Sequence, residues 1–371
     1  MTSSGETAFM RRALALARRS LGRTRPNPAV GAVVVKGGKI VGEGRHVRCG
    51  LDHAEVAAMK NAASKHGWKV LKGATVYCTL EPCSRPGRVG ACCDALAEAR
   101  VARVVWACPD PNPKNANRAK RFLAARGIKA ECWKLSRDAA KRACAAEAAE
   151  IVAPFSKFVT KNLPFVTVKI AMSLDGRICD DSGGAKWISS AAARRQTGRL
   201  RQVADAIMVG AETVRKDNPT LLPRGRGNPK FLRIVVTKSC DLPRKARVFT
   251  DAARKRTVVL CIGRKDIPKK LSWCSKPDGI GGAVACKTLK SGMAVVARFM
   301  QVMHVLCEGG LGLARSLAAE GLVDEWLTVL APKVIGRAPL AKAVQAKIAK
   351  AKTRYAGGDA FLAAMFGAPG R

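Results

Sequence analysis

The stretch Cys78–Asp94 reads CTLEPCSRPGRVGACCD and contains four cysteines. The residues ATVYCTL that lead into it are typical of a strand, and ACCDALAEAR at its end is typical of a helix. Cys83 therefore follows a strand at a proline, and Cys92 begins the next helix. His53 begins another predicted helix, in DHAEVAAM, so the three side chains can converge where strand ends meet helix starts. This is the geometry of a metal site.

The donor set indicates catalytic zinc. One imidazole and two thiolates leave the fourth tetrahedral position of Zn²⁺ open to water, unlike a closed structural site. Helix N-termini also favour thiolate over thiol. Glu55 stands two residues beyond His53 and can pass a proton from bound water to a departing amine. Cys93 is adjacent to Cys92, and sequence alone leaves the two cysteines interchangeable as ligands, although we expect Cys92.

Helices and strands alternate around this motif. Residues 8–22 have helical spacing, and AVGAVVVKGGKIVGEG predicts a hairpin around a Gly-Gly turn. The segments RVVWACP and KAECWKL predict further strands, separated by the helix KRFLAARG. This order predicts an α/β fold with a largely parallel sheet covered on both faces.

The length of 371 residues predicts two domains, and strand patterning restarts after Pro154. We place the boundary near Ile151, giving domains of residues 1–150 and 151–371. The second half predicts strands interleaved with helices. The predicted strands are DAIMVG, FLRIVVT, RTVVLCIG, GAVAC, MHVLCEGG and EWLTVLAP. The Lys- and Ala-rich tail after Gly336 predicts a loosely packed helix.

The charge and the cysteine content restrict the class of protein. A formal charge of +40 attracts polyanions or anionic small molecules. Aromatic residues are only 5% and none interleaves with a basic run, so we interpret the charge as solvated surface and expect no nucleic-acid partner.

The 14 cysteines predict reduced thiols in a cytoplasmic protein. No apolar run is long enough for a membrane span, and MRRALALARRS is interpreted as a helix rather than a transit peptide.

The motif His53-x-Glu55, followed by Leu-Glu-Pro-Cys and a later cysteine, resembles the zinc-dependent nucleobase deaminase superfamily. Most members separate the cysteines by two residues, whereas eight residues lie between Cys83 and Cys92. This longer spacing is similar to that of the pyrimidine deaminase of riboflavin biosynthesis. TRPNPAVGAVVVKGGKIVGEGRHVRCG and the DPNP of Asp110–Pro113 resemble the same family. The resemblance implies a cytidine-deaminase-like three-layer domain, with one histidine and two cysteines as zinc ligands and the glutamate as proton shuttle.

The resemblance also implies substrate contacts. Asn27 and His46 match positions that contact the pyrimidine or its ribose phosphate. Arg85 and Arg88 stand where the family usually has His and Lys or Arg. An arginine in this loop can bind a phosphate through two parallel hydrogen bonds.

The second half resembles the riboflavin-pathway reductase domain, which has a dihydrofolate-reductase-like fold and uses NADPH. The segments that carry this resemblance are KIAMSLDG, WIS, LRQVADAIMVGAETVRKDNP and CEGG. The resemblance implies cofactor contacts at Ala171, Trp187, Thr213, Asp217 and Leu221. It implies substrate contacts at Lys169, Arg201, Arg224 and Glu308. Ala185 replaces a family serine, and the loss of one neutral hydrogen bond costs about 0.5–1.5 kcal/mol.

Together the two resemblances predict a bifunctional riboflavin-pathway enzyme with Zn²⁺ and NADPH as cofactors. The first domain would replace the 2-amino group of a diaminopyrimidine ribose phosphate by hydrolysis, with release of ammonia. The second would reduce the ribosyl chain to ribityl with NADPH. We expect this small pyrimidine ribose phosphate as the substrate, no membrane association, and assembly as a homo-oligomer.

Two alternatives remain at this point. The charge suggests an RNA- or nucleotide-directed zinc deaminase with a reductase-like partner domain. Ala185 and the Arg85-Pro86 pair suggest a deaminase whose reductase domain has decayed and only binds ligands.

Overall fold

The chain divides into two compact units, Met1–Asn162 and Leu163–Arg371. The computed structural model describes residues 3–179, 188–223, 231–274, 281–335, 348–356 and 358–366. The expected boundary near Ile151 falls inside a helix of 23 residues, Ala139–Lys161. The buried face of this helix, from Cys144 to Val152, belongs to the core of the first unit. The helix therefore stays with the first unit, and the division comes after Asn162.

The first unit is an α/β domain with a five-stranded sheet. Its strands are β1 (Gly31–Lys36), β2 (Lys39–Arg45), β3 (Thr75–Leu80), β4 (Arg103–Cys108) and β5 (Lys129–Cys132). Its helices are α1 (Ser3–Arg18), α2 (Ala54–His66), α3 (Cys92–Glu98), α4 (Ala119–Ala124) and α5 (Ala139–Lys161). The strand order is β2-β1-β3-β4-β5. Strands β3, β4 and β5 are parallel as predicted, and the β1–β2 hairpin adds an antiparallel edge.

Glycines on β2 let α2 lie directly against the sheet. A Cβ atom at Gly44 would come within 2.2 Å of the Ala58 nitrogen, and one at Gly42 within 2.4 Å of the Ala58 oxygen. Only residues without a side chain permit this approach, since backbone atoms of the helix cannot move aside. The close packing fixes the start of α2, where His53 is the N-cap residue.

The second unit contains a nine-stranded sheet. Its strands are β6 (Phe165–Ser173), β7 (Ala206–Gly210), β8 (Leu232–Thr237), β9 (Thr257–Ile262), β10 (Gly282–Cys286), β11 (His304–Cys307), β12 (Glu325–Ala331), β13 (Ile348–Ala356) and β14 (Asp359–Phe366). Its helices are α6 (Ala191–Val203), α7 (Ala211–Asp217), α8 (Arg247–Thr250), α9 (Leu289–Met300) and α10 (Leu311–Ala319). The order is β10-β9-β8-β7-β11-β6-β12-β14-β13, and the first seven strands in that order are parallel.

The helix predicted for the tail is wrong for its described part, which forms the antiparallel hairpin β13–β14. Strand β14 pairs with β12, and Phe361 is buried in a cluster with Leu327 and Val329. The next side chain, Leu362, is exposed. This alternation of buried and exposed side chains is that of a strand on a half-covered sheet, and pairing with β12 outweighs the helical preference of Ala and Lys.

Across residues 3–179, 188–223, 231–274 and the later described ranges, no helix has the length and apolar character that a bilayer span requires.

A fully buried arginine on β8 connects several segments of the second unit. The side chain of Arg233 is 0% exposed. It donates to Asp251 Oδ2 at 2.6 Å, to Thr257 Oγ1 at 3.0 Å and to the Val248 carbonyl at 2.8 Å. It also donates to the Thr220 carbonyl at 3.0 Å, which fixes the segment that follows α7. A charge buried this deeply is tolerated because its donors are paired.

We expect Arg233→Met to lower the free energy of unfolding of the second unit by about 3–5 kcal/mol, because Asp251 and two carbonyls lose their donor. Urea unfolding followed by tryptophan fluorescence measures the change. Arg256→Met is the matched control, since Arg256 is exposed and should change stability by no more than about 0.5 kcal/mol. Equal stability of the two variants would contradict the structural role of Arg233.

Candidate functional site

The first candidate site lies where β3, α2 and α3 meet. His53 Nδ1 is 3.2 Å from Cys92 Sγ and 3.5 Å from Cys83 Sγ. One donor atom from each of the three residues lies within 4.8 Å of the others, and no second group of this kind occurs in the described ranges. Tetrahedral zinc, with bonds of about 2.0 Å to nitrogen and 2.3 Å to sulfur, holds such donors roughly 3.5–3.8 Å apart. The observed spacing therefore fits a zinc ion.

The protonation of the two thiols also suits metal binding. The pKa of Cys83 is lowered because its sulfur accepts hydrogen bonds from the Cys92 thiol and the His53 ring. The Cys92 backbone N–H, at the start of α3, donates to the same sulfur at 3.2 Å. The pKa of Cys92 is raised because its thiol donates to Cys83 and is buried. Cys83 is thus the first of the pair to become the thiolate that metals bind.

Glu55 lies behind the donors with its carboxyl group buried. Burial is the largest cause that raises its pKa to about 7, and the Cys92 thiol is hydrogen-bonded to it. A carboxyl group in this state can hold or release a proton near neutral pH. Its place beside Cys92 allows it to act on a molecule bound to the metal.

Cys93 turns away from the donor group. Its thiol donates to the Pro82 carbonyl over 3.7 Å, and its backbone N–H donates to the Cys83 carbonyl at 3.0 Å. The side chain is fully buried in the apolar core of the unit, and burial raises its pKa. The structure thus brings Cys92, and not Cys93, to His53 and Cys83.

His46 and Asn27 lie beside the three candidate metal ligands. The His46 and His53 rings are 5.3 Å apart in an edge-to-face arrangement. His46 Nδ1 lies 2.9 Å from the Asp52 carbonyl oxygen, which can only accept, so this nitrogen carries the proton. His46 Nε2 then accepts from Asn27 Nδ2 at 3.1 Å. Burial lowers the pKa of His46, which agrees with a neutral ring.

The two loop arginines are exposed, and one of them reaches this group. Arg88 Nη1 donates to Cys49 Sγ at 2.9 Å, and that sulfur lies 3.9 Å from Asn27 Oδ1. Arg85 is on the same loop. Cys49 was missed in the sequence, where its only signal is its place three residues after His46 in RHVRCG.

A second candidate site lies in the second unit around Glu308, which follows β11. Arg201 on α6 donates to Glu308 Oε2 from Nη2 at 2.6 Å and from Nε at 3.0 Å. Lys169 Nζ, on β6, is 3.9 Å from Glu308 Oε1. Within the described part of the chain, Oε1 is buried and has no hydrogen-bond partner. A buried acceptor of this kind can receive a hydrogen bond from a ligand.

The described residues that are expected to contact the cofactor come from β6 and from the segment that follows β7. Ala171 is on β6, Thr213 and Asp217 are on α7, and Leu221 follows α7. Ligands of parallel sheets bind at the C-terminal ends of the strands. Leu221 has a left-handed backbone with φ of 55°, a strained conformation for a branched residue. Trp187, Arg224 and Ala185 lie outside the described residues.

A cavity of about 550 Å³ opens at the C-terminal ends of β8, β9 and β10. Its lining includes Lys238, Arg264 and Lys287, each of which follows one of these strands. These residues were missed in the sequence, where the available signal was a basic residue within two positions of three strand ends. Glu320 also lines the cavity, and its carboxylate accepts from the Leu289 and Lys290 backbone N–H groups. Three basic residues against this one carboxylate leave a positive charge that is suited to a phosphate group.

Two family models match the chain. The model described as the RibD C-terminal domain matches residues 164–356. The model described as the cytidine and deoxycytidylate deaminase zinc-binding region matches residues 3–108.

Relatives match the chain over most of its length. The riboflavin biosynthesis protein RibD of Escherichia coli is 36% identical over 340 residues, which cover 88% of this chain and 88% of that protein. RibD of Aquifex aeolicus is 35% identical over 329 residues, covering 88% and 87%. A solved diaminohydroxyphosphoribosylaminopyrimidine deaminase/5-amino-6-(5-phosphoribosylamino)uracil reductase from Thermotoga maritima has a TM-score of 0.83 at 30% identity, over 98% of this chain and 99% of that one.

Proposed function

Because the chain belongs to the RibD family of bifunctional riboflavin-biosynthesis enzymes, we propose that each unit carries one of the two activities at the site described above. The chain is a zinc-dependent deaminase and an NADPH-dependent reductase. We assign the deaminase to Met1–Asn162 and the reductase to Leu163–Arg371. The observation that carries the assignment is the convergence of His53, Cys83 and Cys92.

In the deaminase, His53, Cys83 and Cys92 would hold zinc, and the metal would activate a water molecule for attack. Glu55 would take a proton from this water on one carboxylate oxygen and pass it to the departing amine. Water thus replaces the amino group, and ammonia leaves. The burial of Glu55 supports this role, since a carboxyl group shielded from solvent exchanges its proton with the substrate.

The substrate we propose for this unit is a diaminopyrimidine carrying a ribose phosphate. The amide of Asn27, which the neutral His46 ring holds in place, offers polar atoms to the pyrimidine ring and the ribose. Arg85 and Arg88, exposed on the loop before α3, would bind the phosphate, and Cys49 holds Arg88 near Asn27. A small phosphate ester accounts for these groups without an RNA partner.

In the reductase, Glu308 Oε1 would accept a hydrogen bond from the pyrimidine, while Arg201 and Lys169 hold the carboxylate in place. NADPH would extend along the C-terminal edge of the sheet. From β9 to β6 the sheet order gives four strand spacings of about 4.8 Å, or about 19 Å, which suits an elongated dinucleotide. The basic cavity would hold the 2′-phosphate end, and the residues near β6 and β7 the nicotinamide end.

We also propose that the enzyme is a homo-oligomer. The edge strand β13 offers a surface for a second copy, with Tyr355 exposed on it. Among the described strands none pairs with the outer edge of β13, and such an edge is suited to pairing with another chain.

Glu55→Gln tests the deaminase assignment. We expect the variant to keep one zinc per chain and to lose ammonia release by a factor of about 10²–10⁴, because glutamine cannot move the proton. Metal analysis and an ammonia assay with the pyrimidine phosphate measure the two properties. Glu98→Gln, the same change on the exposed end of α3, should leave both unchanged. A Glu55→Gln enzyme with normal turnover would remove this residue from the chemistry.

Arg264→Gln tests the position of NADPH. We expect the KM for NADPH to rise about tenfold or more, since a charge-assisted hydrogen bond is worth roughly 1.5–3 kcal/mol. The KM for NADH should stay the same, because NADH lacks the 2′-phosphate. Lys290→Gln is the control, as this exposed residue of α9 is not part of the cavity lining. A KM for NADPH equal to that of the wild type would place the phosphate elsewhere.

A further inference from the structure

The loop after β4 holds the metal-ligand loop through the side chain of Asn115. Asn115 Oδ1 accepts from the Ser84 backbone N–H at 2.8 Å and lies 3.2 Å from Ser84 Oγ. Asn115 Nδ2 donates to Asp110 Oδ2 at 2.8 Å, which fixes the orientation of the amide. Asn115 is only 7% exposed, so water cannot easily replace these contacts.

Glu81 adds a second connection between the same two loops. Its buried carboxylate accepts the backbone N–H groups of Asp110, Asn117 and Ala119, each at 3.1 Å. The last of these begins α4, where a negative charge is favourable. The loop after β4 is therefore fixed relative to β3, and Asn115 is a rigid partner for Ser84.

Cys83 lies between these anchors. Its carbonyl accepts from Cys93 N at 3.0 Å, and the carbonyl of Pro82 accepts from Cys93 Sγ at 3.7 Å. The peptide between Cys83 and Ser84 is thus held at its carbonyl by the Cys93 backbone and at its N–H by Asn115, the one side chain among the described residues that bonds to this peptide. Rotation of this peptide would turn the Cys83 sulfur away from His53 and Cys92.

We propose that Asn115 is a positioning residue of the zinc centre, which acts through Ser84 to hold Cys83 in the orientation that binds the metal. The inference rests on the proposed zinc site of the deaminase. Groups beyond the direct ligands commonly change metal affinity by 10–100-fold because they orient the ligands. Asn115 acts in this way without contacting the metal.

The test is the zinc affinity of the full-length protein, measured by competition with a chromophoric chelator. Asn115→Leu keeps the volume of the side chain but leaves the Ser84 N–H without its acceptor, and we expect the Kd for zinc to rise 10–100-fold. Asn112→Leu makes the same change in the same loop, where among the described residues the side chain accepts from Lys114 N alone, and the Kd should stay within about threefold. If Asn115→Leu does not fold, Asn115→Ser, too short to reach Ser84, replaces it with the same expectation.

A rescue separates positioning from general stability. Asn115→Asp combined with Asp110→Asn restores an acceptor for Ser84 and a donor for the new carboxylate, so the Kd should return to within about threefold of the wild type. A merely structural role would lower the melting temperature of the zinc-free Asn115→Leu protein and leave the Kd unchanged, and that result would overturn the proposal. A wild-type protein that binds no zinc would instead refute the proposed deaminase site.

Discussion

The convergence of one histidine nitrogen and two cysteine sulfurs is the constraint on which the deaminase unit depends. His53 precedes α2, Cys92 begins α3, and Cys83 lies in the loop after β3. The donors meet only because both helices start at the same end of the sheet. Gly42 and Gly44 let α2 lie close enough, and hydrogen bonds from neighbouring backbone hold the loop. Local structure, packing and metal chemistry therefore depend on one another at this sheet edge.

The candidate site of the second unit also lies at one edge of a sheet, but its residues are a carboxylate and basic side chains instead of metal donors. Seven parallel strands bring polar residues from separate parts of the sequence to one edge of a sheet. Glu308 provides a buried acceptor there, and the basic cavity provides positive charge. The fully buried Arg233 fixes Thr220, just before the strained Leu221. In the proposed reductase the protein would supply position and charge at this edge, and the nicotinamide would carry the hydride.

The sequence predicts a structural feature well when all the residues that determine the feature lie in one short segment. The α/β class, the strands and the zinc motif could be predicted because each depends on spacing within a short stretch. The sequence could not predict which of Cys92 and Cys93 faces His53. Adjacent residues at the start of a helix point in directions about 100° apart, so the answer depends on how the helix is rotated against the sheet. The three basic residues of the cavity follow different strands, and only the order of the sheet brings them together. The tail forms strands because β12 offers a partner, which composition does not reveal.

The direct test of the metal centre is X-ray absorption at the zinc edge on the zinc-loaded full-length protein. We expect two sulfur neighbours at about 2.3 Å, one imidazole nitrogen at about 2.0–2.1 Å and one further oxygen at about 2.0–2.2 Å. This pattern corresponds to Cys83, Cys92, His53 and one open position. A shell of three or more sulfurs, or one with nitrogen and oxygen only, would contradict the zinc site on which the deaminase assignment rests.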